Sequence, residues 1–374
     1  MAYDIEETLD IEGHDVVKVS YPISSYIADK GFNDYIVRIL DKDNFDCIFT
    51  MNYIPALAKI SFLRKIKYIA WISDSPNYTT YSEMIHSPYN YIFHFDKKEV
   101  ENLRSTGAKN IFHMPLAVNT KRVTKQIETS KIQKNKYKAD VSFLGSLYSD
   151  RDFFDKISGI NDYQKGFVDA VIKAQLLFQG CDLIEEALPK SFIESVLKLV
   201  DFNMDSEIKL SDEKILLDLI RKKATSIERI ELLNFIAKKY QVVLYTGSAD
   251  NMLYHVENRG YLDYNTQMPV MFNSSKINLN ITLRSIQSGI SLRALDIMGA
   301  GGFLISNWQP ELAEWFEEGK EVVMYYDRND LMSKIEYYLQ NEDERMKIAE
   351  NGQKKIIEQF DYSCAWKKIF GVVF

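Results

Sequence analysis

The stretch Ile277–Ser306, INLNITLRSIQSGISLRALDIMGAGGFLIS, decides how the rest of the chain is read. It opens as a half-buried strand, with Ile277, Leu279 and Ile281 on one face and Asn278, Asn280 and Thr282 on the other. A polar loop, Arg284 to Gly289, leads to a short helix starting near Ile290 or Ser291. Leu292, Leu295 and Met298 share a core face of that helix, and Arg293 and Asp296, three apart, share another. Gly299-Ala300-Gly301-Gly302 closes it, and Phe303 to Ser306 reads as the next buried strand. Strand, loop, helix, glycine turn, strand is half of a parallel α/β layer, whose ligands lie where strands end and helices begin. A helix start offers free N–H groups to a phosphate, a carboxylate within it can accept from a ribose diol, and an arginine can face phosphate oxygens. The same residues also fit a surface ion pair followed by an ordinary turn.

Outward from this stretch the alternation continues. Strands are expected at Val16–Tyr21, Cys47–Asn52, Lys67–Ile72, Tyr91–Phe95 and Asn110–Met114, separated by helices, so residues 1–120 read as one doubly wound domain. That domain starts with a helix, at 4–12, so its customary first strand is expected to be missing. Lys121 to Lys138 is locally basic and reads as a solvated linker. A second doubly wound domain follows over 139–355, with strands at Ala139–Leu144, Gln241–Tyr245 and Val322–Tyr325 and a helical insertion over 151–223. A helix is expected at Ile227–Lys239, and a final helix over 356–374.

The chain has 374 residues with 46 basic and 53 acidic side chains, a net charge of −7, and no long basic stripe, which disfavours nucleic acid as partner. Cys47, Cys181 and Cys364 are far apart and odd in number, so neither a disulfide framework nor zinc spacing follows, and a reducing cytoplasm fits. No apolar run is long enough to span a bilayer and no signal peptide is evident. Asp41-Lys42-Asp43 and Asp150-Arg151-Asp152 match the Asp-x-Asp pattern of metal-dependent sugar transfer, but such matches arise by chance in so charged a chain. No cofactor and no essential metal are expected.

The runs GSLY (145–148), SIERIELLNFIAKKYQVVLYTGS (226–248) and NLNITLRSIQSGISLRALDIMGAGGFLIS (278–306) resemble the bacterial spore-maturation-type (CgeB-like) glycosyltransferases. WISDSP (71–76), YIFHFDKKEV (91–100), HMPLAVNT (113–120) and YQKGFVDAVIKAQL (163–176) are similar to the same family. These belong to the group-1 nucleotide-sugar transferases of GT-B fold. The resemblance spans essentially the whole chain and is strongest after residue 226. It implies two Rossmann-like domains facing a cleft, the nucleotide held mainly by the second, and a last helix crossing back to the first. It implies a nucleotide-sugar donor, uridine-based in the first instance, and a protein, glycan or small-molecule acceptor, with homodimerisation open.

The resemblance makes Asp296 the ribose ligand. Group-1 enzymes often carry a second glutamate eight residues earlier, toward the sugar; here that position is Ser288, which leaves hydroxyl and backbone contacts from Ser288, Gly289 and Ile290. Arg229, Arg284 and Arg293 compete for the diphosphate, where fixed cations can stabilise a departing anion without metal. Gly145, Ser146 and Gly247 follow strands and let backbone approach a ligand, and Tyr261 is placed to stack on a base. Asp74, at a strand end before Pro76, is the candidate base for an acceptor hydroxyl, or a loop cap; Asp96 fits an N-cap for 97–105. His94 and His113 read as core or cleft-lining residues. Two rival functions stay open: a catalytically silent GT-B partner or glycan-binding module, which Ser288 favours, and a nucleotide-sugar epimerase, which needs a richer set of histidines and carboxylates.

Overall fold

Short, mostly apolar runs, most of them followed by a helix-period segment, produce two all-parallel sheets. The computed structural model describes residues 2–130, 135–149, 154–202, 205–249 and 251–374. Residues 1–116, 202–211 and 362–374 make one unit; residues 117–201 and 212–361 make another.

The first unit holds β1 (Cys47–Met51), β2 (Lys67–Ile72), β3 (Asn90–His94) and β4 (Ile111–His113), hydrogen-bonded in that order. Trp71 of β2 is fully buried against Tyr362 and Trp366, and Phe49 of β1 meets Trp366 edge-on. Tyr362 and Trp366 belong to the helix Tyr362–Val373, where Trp366 Nε1 donates to Thr8 Oγ1 at 2.9 Å. Residues 202–211 belong to this unit through Ile208, which bridges Ser82, and Lys209, whose N–H donates to Tyr81 O. The strand expected at Val16–Tyr21 does not form. Val16, Val17 and Val19 are all exposed, so no face is available to bury and no ladder partner is recruited.

The second unit holds β5 (Val141–Leu144), β6 (Val242–Tyr245), β7 (Val256–Asn258), β8 (Ile277–Asn280), β9 (Leu304–Asn307) and β10 (Val323–Tyr325), in the order β10-β9-β8-β5-β6-β7. Its core joins Val141, Phe143, Leu233, Leu244, Leu279, Ile305 and Tyr325. Three expectations change here. The first part of the expected linker is ordered instead as the helix Thr120–Thr129, capped by Asn119, with Arg122 and Val123 buried; residues 131–134 lie outside the described residues. The helix expected at Ile227–Lys239 is the second half of an unbroken 26-residue helix, Asp212–Ala237, so it has no boundary with the insertion. The insertion's other helices are Asp162–Gln175, Leu183–Ala187 and Lys190–Leu197. Finally, β8 is buried on both faces, not one: Asn278 bonds Ser142 Oγ and Phe272 O, and Asn280 bonds Thr282, Ser306 and Ser291. After it, Gly302 is enforced by space, since a Cβ there would lie 2.7 Å from Phe272 O.

His94 ends β3 at 0 % exposure. Its Nδ1 accepts from the Asp96 N–H at 3.1 Å, which puts the proton of the neutral ring on Nε2, an atom with no hydrogen-bond partner among the described residues. Burial holds its pKa below the ordinary 6.5; Asp96 opposes that shift and His113 adds to it. Because the folded value is depressed, the stability contributed is present above the unfolded value and is lost as pH falls through the folded one. Each unit of depression is worth about 1.4 kcal/mol. Denaturant titrations from about pH 7 down to about pH 5 are expected to show a falling unfolding free energy in the wild type and a flatter profile in His94→Gln.

Candidate functional site

The chain runs from β5 outward to β6 and β7, then returns to the other side of β5 to lay down β8, β9 and β10. The strand order therefore reverses between β5 and β8, the place where parallel α/β sheets leave a crevice at the strands' carboxyl ends. Leu144-Gly145-Ser146 and Asn280-Ile281-Thr282 are those two ends.

Arg229 spans them. It projects from the helix Asp212–Ala237, its Nη1 donating to Ser146 O at 2.6 Å and its Nη2 to Ile281 O at 2.5 Å. Its guanidinium lies 5.3 Å from the ring centroids of both Phe143 and Tyr148. Gly145 lies under the Phe143 ring: a Cβ there would stand 3.2 Å from Phe143 Cζ, a tight approach, and in ordinary contact with Arg229 Nη1. Arg229 is 8 % exposed, and its Nε is buried without a partner. Burial pulls its pKa down, opposed by Tyr148 and Glu228. The adjacent Glu228 does not pair with it. That carboxylate is taken by Arg284, at 2.6 and 2.8 Å. Among the described residues Arg229 is thus a desolvated cation held only by carbonyls and aromatic faces at the switch point, a setting an anion would relieve.

Arg284 has the opposite character. Besides Glu228 it donates to Phe178 O at 3.0 Å, so its guanidinium is already neutralised inside the fold. Phe178 and its neighbours bring the insertion over this end of the sheet. Gln179 bonds Glu228 and Asn307, and Gly180, at φ +71°, lies so close under Trp308 that no Cβ would fit.

The helix after the β8 loop is Leu292–Gly299, started by Ser291, whose Oγ accepts from the Ala294 N–H and donates to Asn280 Oδ1. Asp296 on it is only 3 % exposed. Arg293 Nη1 donates to its Oδ2 at 3.2 Å and Tyr264 Oη to its Oδ1 at 3.1 Å. Arg293 remains half-exposed, so the pair is not a surface ion pair but a buried carboxylate edged by a reachable cation. Ser288 Oγ donates to Glu311 Oε1 at 2.7 Å, and the Glu311 N–H returns a bond to Ser288 O. A carboxylate thus stands beside the position where the sequence offers only a hydroxyl.

The remaining candidates divide between the two units. Ser146 Oγ meets Ser248 Oγ at 3.1 Å, tying the β5 and β6 loops. Gly247 has open space around it, and nothing in the structure requires a glycine there. Gly289 and Ile290 are buried, while Tyr261 projects into solvent at 80 % exposure. In the first unit Asp74 is exposed beyond β2, its Oδ2 accepting from Asn52 Nδ2 at 2.8 Å. Asp96 is the N-cap of the helix Lys97–Ser105 and accepts from Ser75 Oγ at 3.1 Å. Asp41 is spent on Arg64 at 2.7 Å, and Asp150 to Asp152 lie outside the described residues. Sequence reasoning missed Glu228, Glu311 and Tyr264. Pro310 before Glu311 was a readable helix-start signal, whereas nothing local marks Tyr264.

Removing one partner of a buried pair strands the other charge, at about 3–5 kcal/mol. Glu228→Ala is expected to lower the unfolding free energy by that order in a denaturant titration. A surface control, Glu336→Ala, is expected to change it by less than about 1 kcal/mol.

With this geometry in place, comparisons with known proteins can be weighed. No curated protein sequence matches the chain. Solved structures do. HepE from Anabaena, crystallised with UDP, superposes at a TM-score of 0.52 with 10 % identity over 92 % of this chain and 82 % of that one. WaaG, a glycosyltransferase involved in lipopolysaccharide biosynthesis, gives 0.52 with 12 % identity over 99 % and 94 %. A UDP-forming trehalose-phosphate synthase from Burkholderia xenovorans gives 0.50 with 13 % identity over 92 % and 77 %. At such identities the likeness establishes fold. The chain has the GT-B fold, with two Rossmann-like units, and its residues 227–371 match the family described as Glycosyl transferase-like.

Proposed function

We propose that the chain is a glycosyltransferase moving a sugar from a nucleoside-diphosphate donor to an acceptor hydroxyl. The observation that carries this reading is Arg229, a buried cation that takes no carboxylate partner among the described residues, set across the sheet's switch point. A diphosphate is the ligand that such a cation suits, with half-exposed Arg293 as the second positive group. Asp296 is the proposed ribose ligand. Uridine is the proposed base, since HepE is described in complex with UDP and the trehalose-phosphate synthase as UDP-forming. The family match over 227–371 points the same way, and we place the chain with the spore-maturation-type transferases inside it.

In this reading the bond from the anomeric carbon to the diphosphate breaks, and the acceptor oxygen forms the new bond. The acceptor's proton passes to a base, and the nucleoside diphosphate leaves with added negative charge that Arg229 and Arg293 offset. Asp74, exposed and steered by Asn52, is the proposed base. The reading assigns no step to a metal and places the enzyme in the cytoplasm of a bacterium, acting on a protein, glycan or small-molecule acceptor.

The alternative is a catalytically silent module of the same fold. One observation favours it: Ser288 is bonded to Glu311, so the loop presents no carboxylate of its own. Calorimetric titration with UDP- and GDP-sugars, followed by product analysis, separates the two. A transferase is expected to bind one donor selectively and release its diphosphate slowly; binding without turnover in the presence of acceptors selects the silent module. Asp296→Ala is expected to weaken UDP-sugar binding at least about tenfold, the scale of a lost hydrogen bond to a charged group. Unchanged affinity removes Asp296 from the site.

A further inference from the structure

Asp296 is placed to bind a ribose, yet it is covered. At 3 % exposure no ligand hydroxyl reaches it unless a neighbour yields. The phenol of Tyr264 is the neighbour whose bond resembles the one a ribose would make: an O–H donating to Oδ1, here at 3.1 Å. Arg293 holds the other oxygen, at 3.2 Å, and being a cation rather than a hydroxyl it has no counterpart in a ribose.

Tyr264 lies between β7 and the helix Met268–Ser274, in the hydrogen-bonded turn that Asp263 and Gln267 close, three residues after the solvent-exposed Tyr261. Its ring is covered by Arg122, whose guanidinium lies 5.4 Å from the ring centroid and whose Nη1 donates to Asn265 O at 2.7 Å.

We propose that Tyr264 sets ribose recognition by exchange: its phenol occupies the place on Asp296 Oδ1 that a ribose hydroxyl takes, and nucleotide binding swaps one O–H donor for the other. This rests on the reading of Asp296 as the ribose ligand. An exchanged hydrogen bond contributes little net affinity, because the bond gained replaces a bond lost. The protein therefore discriminates weakly between a nucleotide with a ribose diol and one without, and Tyr264 is the residue that keeps the discrimination weak.

The test compares calorimetric affinities for UDP and 2′,3′-dideoxy-UDP in the wild type and in Tyr264→Phe, which keeps the ring beneath Arg122 and removes only the hydroxyl. Exchange requires UDP to bind Tyr264→Phe more tightly than wild type, by roughly fivefold to tenfold on the scale of a hydrogen bond to a carboxylate. The dideoxy compound is expected to gain nothing, so the preference for the diol widens by the same factor. Weaker UDP binding in Tyr264→Phe overturns the proposal, because the phenol would then position the carboxylate rather than yield to the ligand. An unchanged ratio of the two nucleotides overturns it as well, while leaving the transferase reading intact. If neither protein binds UDP, no ribose reaches Asp296, and the functional reading falls together with the exchange.

Discussion

The guanidinium of Arg229 sets the terms for the second unit. Two strands that follow each other in space but not in sequence, β5 and β8, end in carbonyls at Ser146 and Ile281 that no ladder satisfies in full. One cation closes both. This requires the strand ends to lie at a fixed separation and Phe143 and Tyr148 to supply faces in place of an anion. It also requires the neighbouring acid to be occupied elsewhere. Consecutive helical residues point about 100° apart, so Glu228 faces Arg284 while Arg229 faces the crevice. A cation left in that state is costly to the fold and favourable to an anionic ligand, which is the usual balance at a binding site.

The same sheet buries polar side chains on the face where the sequence promised solvent. Asn278 and Asn280 alternate with Ile277 and Leu279 as in an edge-type strand, yet helices cover both faces, as parallel sheets demand. The amides are used as cross-links. Asn280 reaches Ser306 on β9 and Ser291 at the start of the next helix, while the Thr282 N–H donates to Asn307 Oδ1. Satisfied networks of this kind specify one register, because a slip of one residue leaves several buried groups unpaired at once.

Much of this was legible in the sequence where period and punctuation agree. The strand, glycine turn and strand of 277–306, the helix start near Ser291, the cap Asp96 and the parallel alternation all follow from local pattern. What escaped did so for identifiable reasons. Val16–Tyr21 has strand composition, but β propensity is realised only with a surface to cover. The start of the run 121–138 looked solvated because most of its side chains are polar and exposed, and no local pattern shows that Arg122 is buried on the Asn265 carbonyl. At the site, Arg284 and Arg229 were indistinguishable by type; only the direction of Glu228 separates a neutralised arginine from an unpaired one. Tyr264 lies 32 residues from Asp296, and no periodicity links them.

The helix Asp212–Ala237 passes without a break from the insertion to the crevice. Along it Arg221 holds Asp182 and Glu185, Lys223 holds Asp155 and Asp169, Thr225 accepts from the Arg284 N–H, and Arg229 closes the switch point. It therefore acts as a phase ruler. Adding or removing one residue between Arg221 and Arg229 would turn one half of these contacts by about 100° relative to the other and shift it by about 1.5 Å. Loops of the insertion can lengthen freely over evolutionary time, but this segment can change length only in steps near a whole number of turns. The insertion and the crevice are thus coupled by geometry, and a change in one is read by the other through a rigid rod.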